Sequence, residues 1–194
     1  MSRLTLTTVL VLISASLASA APAEAQTHSP YAGEQSRAIK ALSNKDVDDL
    51  TQGRGTGLAK PAELNRYPGP MHALELVEPL KLSGEQRQAL EAIMRQMNTD
   101  AKALGADLLG LERELDAAFA ARMIDERRLK ELTAQIGVKQ GALRAVHLAA
   151  HLETAAALSA EQIAHYDVLR GYSGTAAAPV PEPGHGGGHG RAKQ

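Results

Sequence analysis

The longest regular hydrophobic pattern of the chain lies in its middle. Between residues 90 and 119, apolar side chains recur at alternating three- and four-residue spacings, which is a heptad pattern. Its members are Leu90, Met94, Met97, Ala101, Leu104, Leu108, Leu111, Leu115 and Phe119. The pattern covers roughly 100° of a helical wheel, the width of one buried stripe. It predicts a helix of about 35 residues that ends near Met123.

A second long helix is predicted directly after a short link. Asp125 can cap its first turn, and its inward-facing residues fall within a sector of about 60°. These residues are Leu129, Leu132, Ile136, Leu143, Ala150 and Thr154. Because the link is short, the two long helices must be antiparallel neighbours.

A short motif that starts helices occurs twice, before the first long helix and after the second. In both copies a serine and a glutamine three positions later can form a capping box, in which each side chain bonds the backbone N–H of the other residue. The copies are Leu82, Ser83 and Gln86, and Leu158, Ser159 and Gln162. The second copy predicts a short helix that ends near Gly171. Pro70 suits a first helical position, and another short helix is predicted from Met71 to about Pro79.

These elements predict an all-α fold, a long antiparallel helical hairpin with a short hooking helix at each end. The composition agrees, because aromatic residues are only 3% of the chain, and a core of aliphatic residues suits packed helices better than a β-sandwich. A length of 194 residues favours one domain plus tails. A lone hairpin cannot bury every apolar face it carries, so it either dimerises or keeps that surface for transient partners.

The N-terminal stretch predicts export from the cytoplasm. Arg3 precedes an apolar run that ends in an Ala-Ser-Ala site at residues 18–20, which is typical of a secretory signal peptide. We expect residues 1–20 to form the signal, with a second candidate cleavage after Ala25. The run is shorter than the about 20 residues that a spanning helix needs. The mature protein is therefore expected in a bacterial periplasm, without a transmembrane segment.

The rest of the chain divides into an arm, a helical body and a tail. We expect residues 26–66 to be a flexible arm with short helical turns, residues 67–172 to form the four-helix hooked hairpin, and residues 173–194 to be a disordered tail rich in Pro, Gly and His. In the arm, Ser43 with Asp46 resembles a helix start. The sequence leaves open whether the arm packs on the body or hangs free.

Glycines occur in the arm and also inside the predicted helices. The loop at residues 53–57 has no strand before it and no Gly-Lys-Ser/Thr after it, so a flexible turn is favoured over a phosphate-binding loop. Glycine inside a helix costs about 1 kcal/mol relative to alanine. The glycines inside the helices are Gly105, Gly110, Gly137 and Gly141. They indicate either tolerated imperfections or a hairpin kept bendable for varied partners.

Histidines are the residues with the clearest potential for chemistry. His147 and His151 are four residues apart and project from one helix face, a sound two-ligand arrangement for Zn, Ni, Co or Cu. The alternative is a half-buried pair that is hydrogen-bonded across the hairpin. His185 and His189 lie in the glycine-rich tail, where they are either weak metal ligands or part of a solubilising segment. No cofactor is required on either interpretation.

The two capping motifs resemble the paired Leu-Thr-x-x-Gln motifs of the Spy/CpxP family. The resemblance covers residues 70–172, and serine replaces threonine in both copies. The family holds ATP-independent periplasmic chaperones, envelope-stress regulators, zinc-resistance-associated proteins and nickel/cobalt sensors. The resemblance implies a hooked hairpin that is paired as a curved homodimer.

The resemblance also implies a place for metal. In the family's sensors the ligands come from the meeting of the first, second and third helices, which here implies His72 together with His147 and His151. Met94 and Glu91 are expected to face the same region. The sensors carry two first-helix histidines four residues apart, whereas this chain has a leucine four residues after His72.

Enzyme functions are not supported by any motif. The chain has no Gly-x-Ser-x-Gly elbow, no His-Glu-x-x-His motif and no cysteine, and a formal net charge of -1 argues against nucleic acid as a partner. We expect a non-enzymatic, ATP-independent chaperone that binds unfolded envelope proteins. The alternative is a periplasmic heavy-metal sensor or resistance protein, and a third function is docking on the periplasmic domain of a membrane sensor.

Overall fold

The computed structural model describes residues 29–173, which divide into two compact units, residues 29–35 and residues 36–173. In the first unit the backbone N–H of Tyr31 donates to Ser29 Oγ at 3.2 Å. The second unit contains all the α-helices of the described chain. The predicted signal peptide and the histidine-containing tail lie outside the described residues.

Six α-helices form the second unit. They are α1 (Asn44–Gln52), α2 (Lys60–Glu63), α3 (Pro70–Glu75), α4 (Gly84–Ala120), α5 (Glu126–Ala157) and α6 (Ala160–Leu169). A short 3-10 helix, Glu34–Ser36, lies at the boundary between the units. Residues 29–173 contain no strand, which confirms the all-α prediction. None of the helices in this range is long and apolar enough to cross a membrane.

The hairpin begins and turns where the capping residues predict. Ser83 Oγ accepts the backbone N–H of Gln86 at 3.1 Å, and Asp125 caps α5 by accepting the backbone N–H of Arg128 at 2.7 Å. The helices α4 and α5 pack along each other. An interhelix ion pair between Asp107 and Lys139, at 2.7 Å, connects them in the middle of the hairpin.

The two glutamines of the repeated motif bind each other. Gln86 Nε2 donates to Gln162 Oε1 at 2.8 Å, and Gln162 Nε2 donates back to Gln86 Oε1 at 3.0 Å. Gln86 also donates to the carbonyl of Ala157 at 2.9 Å, and Gln162 to the carbonyl of Leu80 at 3.2 Å. The glutamine pair therefore joins the start of α4 to the end of α5, in addition to completing both capping boxes.

The short helices α3 and α6 cover the open end of the hairpin. Their shared core is Ala73, Leu80, Leu90, Leu158 and Tyr166, all buried. The helix α3 starts at Pro70 as predicted, but it ends at Glu75 instead of continuing to about residue 79. Residues 76–81 instead form turns.

The predicted heptad stripe is buried only over part of its length. Leu90, Ala101 and Leu108 are buried, whereas Phe119, near the hairpin tip, is 54% exposed. The inward sector predicted for α5 is buried from Leu132 to Thr154. The stripe therefore forms a core where a third element covers the hairpin, and it is open at the tip.

The arm packs along the hairpin. The sequence had left open whether it packs or hangs free. Residues 36–66 are not a free, flexible segment, since Ile39 is only 2% exposed and Lys40 pairs with Asp116 of α4 at 2.9 Å. The helix α1 starts at the Ser43 capping box and follows α4 toward the open end. The arm adds the third layer that buries the middle of the hairpin.

Gly105 makes this packing possible. A Cβ on Gly105 would lie 2.9 Å from the carbonyl carbon of Leu50 and closer still to its oxygen. The close approach of α1 therefore requires glycine at position 105. Neither of the two interpretations from the sequence, a tolerated imperfection or a bendable hairpin, accounts for this contact. Gly110, Gly137 and Gly141 have no neighbour within 4 Å of such a Cβ.

Candidate metal site at the open end of the hairpin

A cavity of about 840 Å³ lies between the hairpin and the segment that leads from α1 to α3. We call this segment, residues 53–69, the strap, and the cavity the His/Met cavity. Its lining comes from α1, the strap, α3, α4, α5 and the end of α6. His72, His147 and His151 all line it. The structure therefore brings together the three histidines that the sequence singled out in the helical body.

His151 is held in one tautomer by the strap. Its Nδ1 lies 2.7 Å from the carbonyl oxygen of Tyr67, and because a carbonyl can only accept, Nδ1 carries the proton. In the neutral form of the ring, the lone pair is then on Nε2. Metal-binding histidines characteristically donate their other N–H to a carbonyl or carboxylate in this way, which fixes the ring.

His72 has an equivalent arrangement at the start of α3. Its Nδ1 lies 2.9 Å from Glu75 Oε2, one turn further along the helix. A carboxylate at this position favours a proton on Nδ1 and leaves Nε2 as the metal-binding atom. Two of the three histidines are therefore oriented by acceptors before any ligand is present.

His147 is buried, with 4% of its surface exposed, and its Nε2 has no hydrogen-bond partner. Burial lowers the pKa of His147 below its usual value, and the nearby His151 lowers it further. The ring is consequently neutral at pH 7, the state that binds metals. The alternative of a pair hydrogen-bonded across the hairpin is wrong for these residues, since His151 bonds the strap and His147 Nε2 bonds nothing.

The glycines of the strap allow its backbone to approach the two rings. A Cβ on Gly55 would lie 3.0 Å from His147 Nδ1, and one on Gly69 would lie 2.9 Å from His151 Cε1. The glycine-rich loop at residues 53–57 is therefore part of the cavity wall, whereas the sequence indicated only a flexible turn. An intramolecular contact of this kind leaves no signal in a local motif.

A carboxylate that sequence reasoning missed lies beside His151. Glu63 Oε1 accepts hydrogen bonds from the hydroxyls of Tyr166, at 2.6 Å, and Tyr172, at 3.0 Å. Its Oε2 is buried without a hydrogen-bond partner and lies 3.7 Å from His151 Nδ1. The two tyrosines are about a hundred residues further along the chain, so only the fold reveals that Glu63 joins the strap to the end of α6.

Methionines form much of the remaining wall. Met71, Met94 and Met97 line the cavity, as expected for Met94. Glu91, which was expected to face the same region, does not line the cavity and instead accepts a hydrogen bond from Arg87 at 2.9 Å. The cavity wall therefore supplies thioethers beside the imidazoles and several oxygen donors.

The described residues contain no ready-made cluster of carboxylates and histidines for a metal. Within residues 29–173, no group of three or more His, Cys, Asp or Glu side chains is arranged to hold an ion. His72, His147 and His151 are therefore not arranged as one three-histidine site, and a metal in the cavity would need other donors beside one or two of them. His185 and His189 lie outside the described residues, and their role stays a prediction.

The fold and the cavity define a class of protein, an all-α hairpin with a site lined by histidine and methionine at its open end. A family model described as heavy-metal resistance matches residues 52–165, more than half of the chain, and the protein belongs to this family. This confirms the grouping with Spy/CpxP and metal-resistance proteins.

The match begins before residue 70, so it includes the strap, which the resemblance had left out. The match indicates no catalytic family. No similar protein was found among curated proteins, and none among solved structures.

Proposed function

We propose that this protein is a non-enzymatic, periplasmic metal-binding protein of the heavy-metal resistance type, and that it binds its metal in the His/Met cavity. One observation carries the proposal. Three histidines from two separate helices line one cavity, and two of them have Nδ1 held by an acceptor so that Nε2 is free. Membership of the heavy-metal resistance family supports it.

The roles of the residues follow from their surroundings. His147 and His151 supply the central ligands, because they lie on one face of α5, His147 is neutral at pH 7, and the strap holds Nδ1 of His151. His72 lines the same cavity from α3. The strap closes over both α5 histidines through its glycines, so bound metal is shielded from solvent. The protein's part is to orient these donors and to exclude water from them.

Calorimetric titration of residues 26–194 with Zn²⁺, Ni²⁺, Co²⁺ and Cu²⁺ tests the proposal. We expect tight binding of at least one metal, lost when His147→Ala and His151→Ala are combined. His165→Ala is the matched control, since His165 is exposed on α6 and does not line the cavity. A second control ends the chain after Tyr172 and removes the tail histidines.

The outcomes separate the cavity from the tail. Binding that survives truncation and disappears in the double variant supports the cavity. If binding disappears with the tail and the double variant still binds, the cavity is not the site. If His165→Ala reduces metal affinity as much as the double variant does, the loss of affinity is not specific to the cavity.

A chaperone-like function is the second candidate, supported by family membership and by apolar side chains that the structure leaves exposed. Val138 and Leu152 on α5 are 69% and 57% exposed, and Phe119 and Met123 near the tip are 54% and 80% exposed. Suppression of aggregation of a denatured client, measured with and without chelator, tests this function. Activity that is unchanged by chelator supports it, and no suppression at equimolar protein rejects it. The homodimer and the membrane-sensor partner stay predictions.

A further inference from the structure

We propose that the His/Met cavity selects a soft monovalent ion, Cu(I) or Ag(I), over Zn(II), Ni(II) and Co(II), and that the thioethers of Met94 and Met97 provide this selection. The inference rests on the proposed metal-binding function and specifies the class of metal. Thioether sulfur is a soft ligand that favours Cu(I), whereas Zn(II) and Ni(II) sites are built from imidazole, thiolate and carboxylate.

The methionines of the helical body are concentrated at the cavity. Met71, Met94 and Met97 line it, while the remaining described methionine, Met123, is 80% exposed at the hairpin tip. Met94 and Met97 are three residues apart on α4, so they share one helix face. Both are only partly buried, in contrast with the fully buried Leu90 of the same stripe. They are thus wall residues of the cavity and not its underlying core.

The register of the hairpin brings these thioethers level with the histidines. The hydrogen bond from Gln86 to the Ala157 carbonyl shows the alignment of α4 and α5 at the open end, and the interhelix ion pair shows it in the middle. Interpolation between these two contacts places Met97 at the level of His147 and Met94 at the level of His151. Each α5 histidine therefore has a cavity-lining methionine of α4 at about its own height along the hairpin.

The oxygen and nitrogen donors of the described residues are not arranged as a site for a harder ion. No group of three or more His, Cys, Asp or Glu side chains is set to hold a metal in residues 29–173. Asp49 is engaged by Lys45 and Arg54, which hold its pKa below the usual value. Glu63 has only Oε2 free of hydrogen bonds. A ligand set centred on imidazole and thioether is what remains.

The charge of the cavity wall also favours a monovalent ion. Cationic side chains on the wall outnumber carboxylates two to one, and repulsion between like charges grows with the charge of the ion. The cationic residues are Lys45, Arg54, Lys60 and Arg170, and the carboxylates are Asp49 and Glu63. A monovalent ion bound by neutral sulfur and nitrogen meets less of this repulsion than a divalent one.

The test compares metals and methionine variants of residues 26–194. Cu(I) affinity is measured anaerobically by competition with bicinchoninate, and Zn(II) affinity by competition with a chromophoric chelator. The variant combines Met94→Leu and Met97→Leu, which keep side-chain volume, and Met123→Leu is the matched control. We expect wild type to prefer Cu(I). The double variant should lose more Cu(I) affinity than the roughly 10–100-fold that loss of an outer-shell partner costs, with Zn(II) affinity unchanged.

A second readout does not depend on a variant folding. With methyl-¹³C methionine, addition of Ag(I) to the wild-type protein should shift the Met94 and Met97 methyl resonances and leave that of Met123 in place. Zn(II) binding as tight as Cu(I) binding, or unshifted Met94 and Met97 resonances in the Ag(I) complex, overturns the inference while leaving metal binding intact. Absence of binding for every metal overturns the proposed function as well.

Discussion

The close contact between α1 and α4 at Gly105 gives the sharpest test of the architecture. In Gly105→Ala the new Cβ would lie 2.9 Å from the carbonyl carbon of Leu50, against an optimal carbon–carbon separation of about 3.5–4.0 Å. The carbonyl oxygen lies closer still, so the helix α1 must move away by more than roughly 0.6 Å. Such overpacking costs about 1–3 kcal/mol. The gain of about 1 kcal/mol from replacing glycine in a helix offsets part of this cost.

Gly110→Ala provides the matched control on the same helix. Gly110 is exposed and has no neighbour within 4 Å of a Cβ, so this variant should gain about 1 kcal/mol of stability. Because the gain in helix propensity is common to both variants, their difference of about 1–3 kcal/mol isolates the steric cost at Gly105. Urea unfolding followed by circular dichroism measures the free energy of unfolding of each. Equal stabilisation of the two variants would refute the packing of α1 on α4.

Three further predictions concern the open end of the hairpin. The depressed pKa of His147 means that the unfolded state binds more protons below about pH 6.5. Stability should therefore fall as pH drops from 7 toward the folded pKa, and His147→Phe should reduce this dependence in thermal melts. Gln86→Leu breaks the pair with Gln162 and should cost about 1–3 kcal/mol in urea unfolding. Tyr166→Phe removes a hydrogen bond to the Glu63 carboxylate, worth about 1.5–3 kcal/mol, and should lower Tm, whereas an unchanged Tm contradicts this network.

The glutamines of the repeated motif show which contacts a local sequence pattern can predict and which it cannot. Their capping boxes could be predicted, because each involves residues three positions apart whose geometry is fixed by the start of a helix. Their mutual hydrogen bonds could not, since Gln86 and Gln162 meet only when the hairpin closes. The same residue type therefore serves a predictable local role and an unpredictable long-range one.

The candidate site also contains some features that the sequence predicted and others that it did not. The face shared by His147 and His151 follows from helical periodicity alone, and the approach of His72 was expected from the antiparallel hairpin and from the family resemblance. The contribution of the strap was not expected, because Gly55, Gly69 and Glu63 act on side chains that are distant in sequence. Low hydrophobicity and many glycines made that segment look like a flexible arm.

By itself, the sequence determined the helices, their caps and the antiparallel hairpin, because helical periodicity, capping and a short link depend on neighbours within a few residues. Only the tertiary structure decided that the arm packs, that Gly105 admits α1, and that the strap closes a cavity lined by histidine and methionine. These features depend on close approach between backbone and side chains from separate segments. Such approach depends on the shape of the assembled hairpin, which no local pattern encodes.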